Sequence, residues 1–173
     1  MLDIIKKYSE AEEPRDVVFK QVVAHYQRST RIFQVGAIET LDKYIYKIGS
    51  GWSDFTFGKH IKKHGGHLTV CDISVDHLAN SSLVASSIGY DYTINHGDAI
   101  NFIESGFDIY YLDGSNDPKE TEDQLEKIMT FSQRNMHILV DDFRIKGVTI
   151  NTDKYPFIIH DIEKGLGVLH YGK

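Results

Sequence analysis

One stretch limits this chain to few folds: a short apolar strand running into glycines, then a helix, then a second strand ending in an acid. Ile45, Tyr46 and Ile48 precede Gly49-Ser50-Gly51. Glycines there allow a sharp turn and let a ligand come close to the main chain. Ser53 reads as an N-cap, Phe57 and Ile61 share a helix face, and Gly65-Gly66 ends the helix. His67 to Cys71 reads as the next strand and delivers Asp72 at its end. This arrangement suits a nucleoside: the loop and helix N-terminus face its charged part, and the acid accepts from ribose hydroxyls.

A competing start lies upstream. In Arg31 to Ile38, the run Ile32 to Val35 also ends in a glycine, Gly36. We take Ile45 to Ile48 as the first strand, because its distance to Asp72 fits one helix and a tight turn. The earlier choice leaves a long insertion. If the earlier strand is the first, Gly36 and Glu39 join the ligand site.

The rest of the chain alternates strands and helices. Residues 1–30 form an N-terminal helical segment with apolar stripes at Leu2, Ile5 and Tyr8 and at Val17, Val18, Val22 and His25, read as packing only. Ser74 caps a helix to Ile88 with Val75, Leu78, Ala79, Ser82 and Ala85 on its inner face, and Gly89 closes it. Tyr90 to Asn95 is a third strand, and Ala99 to Glu104 a short helix. Phe107 to Leu112 is the nearly continuous apolar run of a central parallel strand. Asp117-Pro118 starts a helix whose buried face carries Leu125, Ile128, Met129 and Ser132, and His137 to Val140 is the next strand. Phe157 to Ile162 and Val168 to Tyr171 close the chain as an antiparallel pair. The expected fold is α/β: a Rossmann-like, doubly wound, mostly parallel sheet with a C-terminal antiparallel strand pair. We expect one domain over residues 1–173, with residues 31–173 as its α/β core. Asp72, Asp98, Asp113, Asp141 and Asp142 all fall at strand C-termini, the ligand-binding edge of such a sheet.

Charge and composition exclude some classes. The formal net charge of −6 disfavours sequence-independent nucleic-acid binding. Lys59, Lys62, Lys63 and His64 form a basic cluster best read as a solvated helix face. The single cysteine, Cys71, sits in an apolar strand as a small core residue. No apolar run is long enough to span a membrane and the N-terminus has no signal-peptide pattern, so a cytoplasmic protein without membrane partners is expected.

The ordered series IGSGWSD, VCDIS, GDA, FDIYYLDGS, ILVDDF and GLGVL resembles class I S-adenosylmethionine-dependent methyltransferases, and within them the small O-methyltransferase-like, catechol-type related group. The resemblance runs from Ile45 to the C-terminus. It implies S-adenosylmethionine as cofactor, with Gly49 and Gly51 at its methionine part, Asp72 at the ribose, Asp98 and Ala99 at adenine, and Ser50 and Ile73 also among the cofactor-binding residues. Asp113 would face the sulfonium and the substrate as the catalytic residue. Metal-dependent members place an acid at the Asp113 position beside an Asp-Asn pair. Asp113, Asp141 and Asp142 are therefore the candidate ligands of Mg²⁺ or another divalent cation. Three residues depart from the pattern: Lys47 replaces an acid two before the loop glycine, Trp52 replaces a small residue, and Asp142 replaces the Asn.

Methyl transfer is an in-line displacement that depends on positioning, and a hydroxyl acceptor must lose a proton. A hard cation held by carboxylates could assist that loss. The expected partner is a small-molecule methyl acceptor, modified at oxygen. Two other readings stay open: a nucleoside-binding protein without methyl transfer, and an NAD-dependent oxidoreductase. The latter is disfavoured because Phe55-Thr56 stand where G-x-G-x-x-G needs a small residue. Oligomeric state is not legible.

Overall fold

The computed structural model describes residues 14–41, 52–131, 135–143, 158–160 and 165–171. In chain order the elements are α1 (Pro14–Ala24), β1 (Thr30–Val35), α2 (Trp52–His64), β2 (Gly66–Asp72), α3 (Val75–Ile88), β3 (Tyr92–His96), a 3-10 turn (Ala99–Asn101), β4 (Ile109–Leu112), α4 (Pro118–Met129), β5 (Met136–Val140), β6 (Ile158–His160) and β7 (Leu166–Tyr171). They build a seven-stranded sheet in the order β3-β2-β1-β4-β5-β7-β6. β1 to β5 run parallel, and β7 lies antiparallel to both β5 and β6. The fold is the Rossmann-like sheet with a terminal antiparallel pair that the sequence implies.

Local signals set most boundaries. Ser74 caps α3 by accepting from the His77 N–H at 3.3 Å, and Gly89 stops it in the left-handed region at φ 78°. Asp117 caps α4 by accepting from the Lys119 N–H, with Pro118 pre-set for the first turn. β4 and β5 are buried along their whole length, as strands covered on both faces must be.

The two faces of the sheet carry separate cores, and alternate strand residues serve each. Ile32, Leu68, Val70, Ile109, Tyr111 and Leu139 pack with α1, α2 and α3. Phe33, Cys71, Tyr110, Leu112, Ile138 and Val140 pack with Leu125 and Ile128 of α4. The period of two along each strand produces this division.

Several expectations change. The first strand is Thr30–Val35, not Ile45 to Ile48. β1 has β2 on one edge and β4 on the other, so the central place is filled by the earlier strand. Ile45 to Ile48 lies outside the described residues. Ser53 is not the N-cap of α2 but lies within it. α3 is rotated from the expected face: it buries Leu78, Ser81, Val84 and Ala85, while Val75 is 62% exposed. α4 buries Thr121 and Gln124 beside Leu125 and Ile128. The short helix after Asp98 is only the 3-10 turn. α1 buries Val18, Phe19, Val22 and Val23, whereas Val17 and His25 face outward.

Candidate functional site

The register aligns the strand ends into one row. The Gly36 N–H donates to the Cys71 carbonyl at 2.9 Å, and the Gly97 N–H donates to the Asp72 carbonyl at 3.0 Å. On the other side of β1, the Asp113 N–H donates to the Val35 carbonyl and the Asp141 N–H to that of Leu112. β1 is where the strand order reverses, and in open α/β sheets ligands bind at that point beyond the strand ends. A cavity of about 300 Å³ opens there, lined by residues that include Gly36, Asp72, Ile73, Asp98, Ala99, Gly114 and Glu120.

Gly36 has φ 91°, and a Cβ added to it would stand 2.7 Å from the Asp113 carbonyl oxygen. Both the backbone conformation and the close approach of the β4 end exclude a side chain. Gly36 is the glycine that follows the first strand, the place the sequence reading gave to Gly49 and Gly51. Gly49, Ser50 and Gly51 themselves lie outside the described residues. Gly36 was legible as the end of an apolar run. Nothing local in the sequence marked Gly114 or Glu120 as cavity residues.

Asp72 is tied into the same corner. Its Oδ2 accepts from the Ala37 N–H at 2.8 Å and its Oδ1 from the Ser74 N–H at 2.7 Å. Oδ2 also lies 3.4 Å from His77 Nδ1, while Oδ1 keeps a second lone pair that can accept from a ligand hydroxyl. Ile73, on the rim, is 78% exposed. The His96 Nε2–H donates to the Ile73 carbonyl at 3.1 Å and holds that rim residue's backbone. Asp98 caps the 3-10 turn by accepting from the Ile100 N–H with one oxygen, beside the buried Ala99. These features fit a nucleoside: a glycine at the strand end, a carboxylate acceptor for a ribose hydroxyl, and an acid next to backbone amides. Cys71 is buried beneath the cavity, and burial, helped by Asp72 and Asp98, pushes its thiol up to about 12, which leaves it an inert packing residue.

Beneath the β1 loop sits a polar pair. Gln34, two residues before Gly36, donates from Nε2 to the Gly36 carbonyl at 2.8 Å and to Asp54 Oδ1 at 2.5 Å. The position where the resembled family places an acid therefore holds an amide, and α2 supplies a carboxylate beside it. Gln34 Oε1 and Asp54 Oδ2 are buried without a hydrogen-bond partner. Burial raises the Asp54 carboxyl to about 6, against hydrogen bonds that lower it.

The three acids proposed as metal ligands do converge, but around groups of the chain itself. Arg15 Nη1 donates to Asp141 Oδ2 at 2.5 Å, and Nη2 donates to Asp142 Oδ1 at 3.1 Å. The Tyr111 hydroxyl lies 2.9 Å from Asp141 Oδ2 and 3.0 Å from Asp113 Oδ2, and its single proton serves one carboxylate at a time. Asp141 Oδ1 accepts from the Asp142 N–H at 2.8 Å. Asp141 is fully buried with three contacts on its carboxylate, so it has little capacity left for a metal ion. Among the described residues no group of three or more His, Cys, Asp or Glu is arranged to hold one. Burial lowers the Arg15 pKa, but Asp141, Tyr111, Asp142 and Asp113 outweigh that and raise it, so the guanidinium stays charged. Burial, with Asp113 and Asp141 adding to it and Arg15 opposing, lifts the Tyr111 phenol well above its ordinary value and keeps it protonated.

The strand order and the parallel β1 to β5 make a Rossmann-like sheet of the kind found in solved methyltransferase structures. No protein-family model matches the sequence, and no curated protein sequence matches it. Solved structures do. An S-adenosylhomocysteine-bound methyltransferase from Podospora anserina is 13% identical with a TM-score of 0.71, over 99% of this chain and 88% of that one. An O-methyltransferase from Bacillus cereus in complex with S-adenosylhomocysteine is 12% identical with a TM-score of 0.65, over 98% and 90%. A ribosomal protein L11 methylase from Lactobacillus delbrueckii is 9% identical with a TM-score of 0.62, over 93% and 80%. At such identities the likeness establishes the fold. No helix among the described residues is long and apolar enough to cross a membrane.

Proposed function

We propose that this protein is an S-adenosylmethionine-dependent methyltransferase acting on a small molecule, at oxygen. The observation that carries the reading is the cavity at the reversal point, where Gly36, Asp72 and the Asp98-Ala99 turn meet on three adjacent strand ends. Solved neighbours of the same fold carry S-adenosylhomocysteine. S-adenosylmethionine, when bound, supplies an electrophilic methyl group on a sulfonium. Gly36 leaves room for the ligand at the main chain, Asp72 accepts from the ribose hydroxyls, Ile73 covers the ring plane, and Asp98 with the Ala99 N–H reads adenine. Asp113, at the end of β4, takes the acceptor's proton, and Tyr111 orients it by hydrogen bonding. A carboxylate poised in that way contributes roughly 10²- to 10⁴-fold to proton transfer. The net charge of −6 disfavours a nucleic-acid acceptor. A divalent cation at Asp113, Asp141 and Asp142 would require Arg15 to leave.

The test has two stages. Calorimetric titration with S-adenosylmethionine, S-adenosylhomocysteine and NAD should show binding of the first two and none of the third. NAD binding in their place would overturn the reading. Turnover on a panel of hydroxylated small molecules then separates an enzyme from a nucleoside-binding protein. Asp113→Asn should lower kcat on the accepted substrate at least tenfold while leaving S-adenosylhomocysteine affinity within twofold.

A further inference from the structure

We infer that the Arg15 guanidinium is the resident cation of the acidic corner formed by Asp113, Asp141 and Asp142, so that the protein takes no divalent metal there. Arg15 reaches the corner from α1, across 126 residues of sequence from Asp141. Its fork engages two carboxylates at once, and its side chain is 14% exposed against 1% for Asp141. A planar guanidinium matches two adjacent carboxylates better than an ammonium does and cannot be neutralised by deprotonation. Three carboxylates converging without a cation would repel each other. Here the neutralising charge is covalently part of the chain, and the Tyr111 hydroxyl supplies a further hydrogen bond.

Two consequences follow. A guanidinium offers no open coordination position, so it cannot bind an acceptor oxygen as a metal ion does. Proton removal from the acceptor is then left to a carboxylate. Arg15 also pins α1 to the end of β5, beyond the packing of Phe19 against Tyr111 of β4. This rests on the methyltransferase reading only for its bearing on the reaction. The claim about the corner is read by metal binding, without turnover, so either can fail alone.

The experiment uses the full chain after treatment with EDTA. Mn²⁺ binding is followed by electron paramagnetic resonance, and melting temperature is measured with millimolar Mg²⁺, Mn²⁺ and Ca²⁺. The wild type should neither bind Mn²⁺ stoichiometrically nor change its melting temperature by more than about 1 °C, a shift that corresponds to negligible linkage. Arg15→Met removes the charge and keeps the apolar stem. It should gain one Mn²⁺ site and a metal-dependent rise of about 3 °C or more. Adding Asp141→Asn should abolish that gain. Should Arg15→Met fail to fold, Arg15→Gln, which is shorter but keeps a donor without the charge, reads the same gain. Stoichiometric Mn²⁺ binding by the wild type would overturn the inference, because the metal would then displace Arg15. Absence of binding in every folded uncharged variant would overturn it too, because the acids would not form a cation site.

Discussion

Asp72 Oδ2 accepts a hydrogen bond from the Ala37 N–H at 2.8 Å. The acid at the end of β2 therefore fastens the loop that leaves β1, and one carboxylate shapes two walls of the cavity.

Asp72→Ala should weaken S-adenosylhomocysteine binding by about 1.5 to 3 kcal/mol, the range for hydrogen bonds to a charged group. It should also release the Ala37 and Ser74 amides, so some stability is lost with the affinity. Asp72→Asn keeps one acceptor and should fall between the two. Calorimetry on folded variants decides this, and unchanged affinity in Asp72→Ala would remove Asp72 from the site.

Gly36→Ala places a Cβ 2.7 Å from the Asp113 carbonyl, at a φ of 91°. The backbone strain alone costs about 1 to 3 kcal/mol. Urea unfolding should show at least that loss, and ligand affinity should drop because the ends of β1 and β4 must move apart. A variant as stable as the wild type would contradict the described loop.

Asp54 and His137 give opposite pH dependences. Burial raises Asp54 from 3.8 to about 6, so between those values the folded state holds more protons than the unfolded one. Stability therefore falls as pH rises from about 4 to 6, by something of the order of 3 kcal/mol. Burial, with His170 and His25 nearby, lowers His137 from 6.5 to about 4, so there the unfolded state holds more protons and stability rises with pH. The two nearly cancel in the wild type between pH 4 and 6. Asp54→Asn removes the falling contribution and should expose a rise of stability with pH, measured as urea midpoints at pH 4, 5, 6 and 7. A curve superimposable on that of the wild type would count against the buried charge.

Tyr111→Phe removes the hydroxyl between Asp113 and Asp141 and keeps the ring, which packs against Phe19 and Phe57. We expect a loss of about 1 to 3 kcal/mol at pH 7, since the carboxylate that accepts the Tyr111 proton loses its donor. Equilibrium unfolding measures it, and a neutral result would mean that the hydroxyl carries no net energy.

The sequence by itself determined the alternation of strands and helices, the caps at Ser74 and Asp117, the stop at Gly89 and the row of acids at strand ends. Those signals are local: a side-chain oxygen beside a nearby N–H, a positive φ, a run of apolar residues. Tertiary structure alone decided which strand lies at the centre. Ile32 to Val35 and Ile45 to Ile48 are equally apolar runs ending in glycine, and only pairing with β2 and β4 on both edges distinguishes the first. It also decided the buried faces of α1 and α3, since several stripes of each helix offer enough apolar surface and docking geometry selects one. Arg15 is the extreme case. Nothing near it in sequence marks it, and its partners, 126 and 127 residues away, meet it only when α1 lies across the end of β5. A charge pair of that kind exists only once the chain has closed, because neither partner is close enough to the other to act before then.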